Sequence, residues 1–179
     1  MSTAAADHLR YPIGTFRRPE RLDRAQRATA IDAIGRLPDD LRGVVANLTA
    51  PQLDTPYRPD GWTVRQLAHH IPDSHLNAYI RLKLALTEDE PTIKPYDEAR
   101  WAELADSRTT PIGTSLALLE ALHARWTVLL RAMDEHDFAR TLRHPESGLL
   151  RVDQLLALYA WHGAHHVAHI TRLRERMGW

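Results

Sequence analysis

The chain contains no cysteine. Disulfides and thiolate metal ligands are therefore both excluded, and any bound metal must be held by nitrogen and oxygen. Net charge is also missing, because 23 Lys+Arg balance 23 Asp+Glu. With no basic field and no acidic tail, nothing electrostatic points to nucleic acid as a partner. No apolar run is long enough to span a bilayer. Residues Met1 to His8 lack the basic start and apolar core of a secretory leader. Internal repeats, low-complexity segments and strong strand signals are absent too. A chain of 179 residues can bury a real core. Residues 1–179 are therefore expected to form one domain, cytoplasmic in location, with residues 1–20 as an extended arm.

What is present is helical periodicity. Ala28, Ile31, Ile34 and Leu37 recur at helical spacing after Asp23. Pro38 either kinks this helix or starts a second one carrying Leu41, Val44, Val45 and Leu48. Three prolines and a glycine make 50–61 a loop. Thr63-Val64-Arg65-Gln66 is a capping box, so a long helix should run on to about Leu86. A loop bracketed by Pro91 and Pro95 follows, then a short helix over 97–104. Residues 115–133 carry a broad apolar stripe that includes Leu119, Leu122, Trp126 and Leu130. Residues 139–151 suit a small hairpin, and the last helix should cover 153–177 and stop before Gly178. The fold class is all-α, a four-helix bundle with a long crossover and a minor short helix or hairpin.

Histidine is the residue in surplus. Four of the eleven fall within eight residues: His162, His165, His166 and His169. Three more sit together about ninety residues upstream, as His69, His70 and His75. On the last helix, Leu155, Tyr159, His162, His166, His169, Ile170 and Leu173 share one stripe. His162 and His166 therefore face the core and stand one turn apart, so that two imidazoles can converge on one ion. Upstream, His70 belongs to a polar stripe with Asp73, Ser74, Asn77 and Arg81. That stripe either faces water or lines a pocket, where His70 suits a third ligand. His69 points about 100° away, and His75 projects with the apolar face. His123 could reach the pocket, although surface or core packing explains it as well. Burying several unpartnered imidazoles would cost about 1–3 kcal/mol each, a penalty that a metal removes. Asp73, one turn from His70, is a candidate base or an orienting acceptor, or else a surface ion-pair partner.

At these residues the sequence resembles the DinB/YfiT-like superfamily, and within it the YfiT-type metal-dependent hydrolases. The matching stretches include Tyr11-Pro12-Ile13-Gly14, Gly61-Trp62-Thr63-Val64-Arg65-Gln66, His69-His70, Tyr79-Ile80-Arg81, Trp161-His162, His165-His166 and Met177-Gly178-Trp179. They span nearly the whole chain. The resemblance implies a four-helix bundle with an unusual connection and a metal site made by His70, His162 and His166. It further implies zinc as the usual ion, nickel as an alternative occupant, and a homodimer. Pro72, inside the histidine helix, departs from the family pattern and removes the hydrogen bond to the Ala68 carbonyl.

Three neutral imidazoles leave an open coordination position, the mark of a catalytic metal site. The first expected chemistry is hydrolysis of a small-molecule substrate by a metal-activated water. The second is thiol S-transfer to an electrophile, with a bacillithiol- or mycothiol-type cofactor as the nucleophile. For that chemistry Arg81 and Arg65 are candidate cofactor-binding residues. The third reading is a non-enzymatic bundle whose metal only pins two helices.

Overall fold

A computed structural model describes residues 8–179. The absence of a leader in the first residues concerns a stretch that lies mostly outside this range. Four long helices dominate: α1 (Arg24–Val45), α3 (Val64–Thr87), α6 (Ile112–Ala132) and α8 (Val152–Met177). Between them lie the short helices α2 (Ala50–Leu53), α4 (Glu98–Trp101), α5 (Ala105–Thr109) and α7 (Glu135–Ala139). Strands β1 (Thr141–His144) and β2 (Gly148–Arg151) form an antiparallel hairpin, with Leu142 opposite Leu150. No helix among the described residues is long and apolar enough to cross a membrane.

Most helix ends follow from local chemistry. The Asp23 side chain accepts from the Gln26 amide at the start of α1. Thr63 and Gln66 form the expected reciprocal cap of α3. Gly178 ends α8 at φ +71°, the left-handed turn that glycine adopts without strain. Three expectations need correction. Residues 8–10 are helical, so the N-terminal arm is not extended throughout. The 50–61 loop contains α2, because Pro51 suits a first helical turn. The short helix over 97–104 is confined to Glu98–Trp101 (α4), and a further short helix that the sequence does not signal, α5, follows after a turn at 102–104.

α1 packs on α6 and α8, and α3 packs on the same two helices. Thus α1 and α3 occupy one diagonal of the bundle and α6 and α8 the other. Two of the three connections between consecutive long helices cross a diagonal, unlike a simple up-and-down bundle. The buried apolar residues fall into two clusters. One contains Ile34, Leu82, Trp126 and Leu156, and the other Leu37, Leu67, Ile71, Leu119 and Ile170. On every long helix the boundary between the clusters falls at the level of the histidines.

Gly163 lets α8 approach α1 at that boundary. A Cβ on it would lie 2.5 Å from Leu37 Cδ2 and 3.0 Å from Cδ1. Overpacking costs about 1–3 kcal/mol, and the helix propensity of alanine returns about 1. Gly163→Ala is expected to lower stability by about 1 kcal/mol net, measured by denaturant unfolding.

Candidate metal centre

Two elements bring the predicted residues together. α3 supplies His70, and α8 supplies His162 and His166 one turn apart. His70 Nε2 lies 3.2 Å from His162 Nε2, which lies 3.2 Å from His166 Nε2. One ring nitrogen from each of the three residues falls within 4.8 Å of the others. A tetrahedral ion bound at about 2.0–2.1 Å holds its ligand nitrogens about 3.3 Å apart. The spacing therefore fits one cation. Burial lowers the His70 pKa to about 4, and burial reinforced by neighbouring imidazoles takes His162 and His166 well below their ordinary range. All three rings are neutral at pH 7, the state a metal requires.

The surrounding hydrogen bonds decide which nitrogen of the His162 and His166 rings carries the proton. Pro38 has no amide hydrogen, so the Ile34 carbonyl one turn back loses its usual helical donor. His123 Nδ1 lies 2.6 Å from that oxygen. A carbonyl only accepts, so His123 Nδ1 donates, and in a neutral ring Nε2 must then accept. It accepts from His75 Nδ1 at 3.0 Å. His75 Nε2 is left to accept from His162 Nδ1 at 3.2 Å. The chain of donors ends with an unprotonated His162 Nε2.

A second, shorter chain reaches His166. His169 Nε2 donates to the Arg10 carbonyl at 3.0 Å, and His169 Nδ1 faces His166 Nδ1 across a longer 3.4 Å contact. His166 Nε2 is then unprotonated too. Two lone pairs confront each other at 3.2 Å. Such an arrangement needs a positive charge between them, and a divalent cation supplies it. The donor set and its protonation thus fit the expected metal.

His165, His166 and His169 form a second group of ring nitrogens within 4.8 Å of one another. It shares His166, whose Nδ1 already faces His169. His165 stacks on Trp161 at 4.4 Å, and its buried Nδ1 has no partner. His69 lies elsewhere, bonded to the Ser115 hydroxyl at 2.7 Å and the Thr110 carbonyl at 3.0 Å near the start of α6.

The polar stripe of α3 lines a cavity. His70, Ser74 and Arg81 border a space of about 540 Å³, with Trp62, Tyr159 and His162 among the facing residues. Asp73 is not among the lining residues. Burial, and secondarily Asp106, raises its pKa to about 6. Arg65 is also absent from the lining and pairs with Asp54 at 2.7 Å. The acids bordering the cavity are Asp60, Glu98 and Glu146, all exposed. His75 and His123 are fully buried and give the site its orientation without bordering the cavity. Helical periodicity puts His75 on the apolar face but marks neither residue for this role. The signal was available in Pro38, which marks the Ile34 carbonyl as an unclaimed acceptor.

Stability should depend on pH through these rings. Burial is the largest cause holding His70, His123, His165 and His169 at about 4. In the unfolded chain they protonate near 6.5. Between those values the unfolded state binds more protons, so stability falls as pH drops from about 6.5 towards 4 and is fully present above 6.5. Thermal unfolding of the metal-free chain at pH 7.5, 6 and 5 should show Tm falling step by step.

This diagonal four-helix bundle with a buried histidine centre matches the DinB superfamily over residues 33–170, and the chain belongs to that superfamily. Two proteins each named "Putative metal-dependent hydrolase", from Bacillus cereus (strain 03BB102) and Bacillus thuringiensis subsp. konkukian (strain 97-27), are similar to it. Each is 52% identical over 171 residues, covering 96% of this chain and 98% of the relative. The solved structure of YfiT from Bacillus subtilis is described as "a probable metal-dependent hydrolase with an unusual four-helix bundle topology". It superposes with a TM-score of 0.94 at 48% identity, over 96% of this chain and 99% of YfiT. TT2238, a four-helix bundle protein, shares the fold alone at 22% identity and a TM-score of 0.55, over 79% of this chain and 94% of that one.

Proposed function

We propose that the chain is a metal-dependent hydrolase of small molecules, with His70, His162 and His166 holding one divalent ion. The observation that carries this reading is the meeting of imidazole nitrogens from His70, His162 and His166 at 3.2 Å spacings in the wall of a cavity of about 540 Å³. A cation held there supplies Lewis acidity, polarising a carbonyl oxygen and making a nearby water or thiol more acidic. Zinc suits an all-nitrogen tetrahedral donor set, and nickel is the alternative ion. His75 and His169 hold the ligand rings in one tautomer. The Tyr159 phenol is protonated at neutral pH, burial pushes its pKa up further, and Tyr159 can donate a hydrogen bond to a bound substrate. We take residues 1–179 as one such domain, working as a cytoplasmic homodimer.

One observation favours thiol transfer as a second reading. Among the described residues no buried carboxylate borders the cavity, and Asp73, the candidate base, is not in its wall. A thiol that loses its proton readily needs no such base. The deciding experiment incubates zinc-loaded protein with activated esters and amides, with and without a low-molecular-weight thiol. Hydrolysis predicts turnover without thiol that disappears on chelation. Turnover only with thiol establishes the second reading, and a tightly held ion with no turnover in either arm leaves a structural metal.

A further inference from the structure

Beyond the histidines, the cavity contains a buried guanidinium with no carboxylate partner. Arg81 is only 8% exposed and borders the cavity three turns along α3 from His70. Its Nη1 donates to the Tyr159 hydroxyl at 3.3 Å and its Nη2 to the Lys94 carbonyl at 3.2 Å. Neither acceptor is charged, and no acid of the described residues lies within salt-bridge reach. A guanidinium has five N–H groups, so three remain without a protein acceptor among the described residues. A buried, unpaired cation is costly to fold around and calls for a counterion.

The neighbouring groups are donors as well. His144, at the end of β1, borders the same cavity. Its Nδ1 accepts from the Glu146 and Ser147 amides at 3.2 and 3.3 Å, which leaves the proton on Nε2. The loop from α3 is tied to this hairpin by Ile93 N to Arg143 O at 3.0 Å and Arg143 N to Pro91 O at 2.9 Å. This end of the cavity thus presents donors from α3, the hairpin and α8, and the two acids that also border the cavity near them, Glu98 and Glu146, are exposed and make no salt bridge with Arg81. Tyr159, whose ring centre is 5.7 Å from that of His162, links this end to the histidines.

We propose that Arg81, with His144 and Tyr159, forms a carboxylate-binding subsite, so that the molecule acted upon is a small acid. Its anionic group docks at Arg81 while its reacting carbon lies one tyrosine ring away at the histidines. This rests on the small-molecule reading of the cavity but not on which reaction occurs there. A substrate carboxylate and the carboxylate of a thiol cofactor share this chemistry, and the test below separates them.

Benzoate and benzamide have the same shape and differ in charge, which makes them suitable probes. Calorimetric titration of the full chain, zinc-loaded and after chelation, should show benzoate binding at least about tenfold more tightly in both states, an energy of roughly 1.4 kcal/mol. Arg81→Gln should abolish the preference, and His144→Ala, at the half-buried end of β1, should reduce it. The idea is overturned if the two probes bind equally, if the preference survives Arg81→Gln, or if it vanishes on chelation. In the last case the carboxylate sits on the histidine-bound ion. Should Arg81→Gln not fold, His144→Ala and the chelated wild type still decide. Repeating the turnover assay with added benzoate separates the sources: competition with the ester places a substrate carboxylate at Arg81, and competition with the thiol a cofactor carboxylate. Absence of turnover with any ester would sink the hydrolase reading and leave the benzoate preference intact.

Discussion

His162→Ala and His166→Ala are each expected to abolish stoichiometric metal binding, while His69→Ala and His165→Ala retain it. The asymmetry follows from geometry. Each of the first pair places an unprotonated Nε2 at the shared point. Removing either leaves a single helical ligand plus His70, so the loss should exceed the 10–100-fold typical of residues behind the ligands. His69 faces Ser115 and Thr110, well outside the cavity wall. His165 is the sharper test, because it belongs only to the second histidine group. If His165→Ala loses its metal while His70→Ala keeps it, the ion occupies that second group and the assignment fails. Metal analysis of the purified variants after dialysis reads the outcome directly.

The second large effect should come from residues that touch no ion. His123→Leu and His75→Leu are each expected to weaken metal affinity by about 10–100-fold, with the bundle still folded. His75→Leu leaves His162 Nδ1 without its acceptor, so the ring is free to adopt the tautomer that puts a proton on Nε2. His123→Leu acts one step further back, by releasing His75 to reverse its own donor direction. Loss of a buried hydrogen bond will also lower stability by about 1–3 kcal/mol, so stability alone is not diagnostic. Chelator competition measures the affinity. Nitrogen-15 spectra of the imidazoles separate the two effects: a purely structural role would leave the His162 tautomer unchanged. His144→Ala, on the hairpin, should leave metal affinity at the wild-type value.

Much of the architecture was legible because it rests on local signals. The Thr63–Gln66 cap, the Gly178 stop and the stripe through Leu119, Trp126 and Leu130 each follow from short-range geometry. So does the inward aim of His162 and His166, since 3.6-residue periodicity places them among leucines. The order of helices around the bundle was not legible. Nothing local distinguishes a diagonal connection from an adjacent one, and the choice is made by packing between segments far apart in sequence. The same limit hid the role of His123. Its helical wheel leaves surface and core packing both open, and its partners lie 48 and 89 residues away. Arg81 was recognised as polar and correctly placed on the His70 stripe, but its lack of a counterion becomes visible only once every nearby acid has a position.

Pro38 gains a meaning from this arrangement. Ile34 lies on α1, His123 on α6, His75 on α3 and His162 on α8, so a single thread of contacts visits all four corners of the bundle. Restoring an amide proton with Pro38→Ala would give the Ile34 oxygen a rival suitor within its own helix. Mutational sensitivity should therefore map along a line through the protein and not as a shell around the ion. A residue that never meets the reaction can help set whether the cation stays.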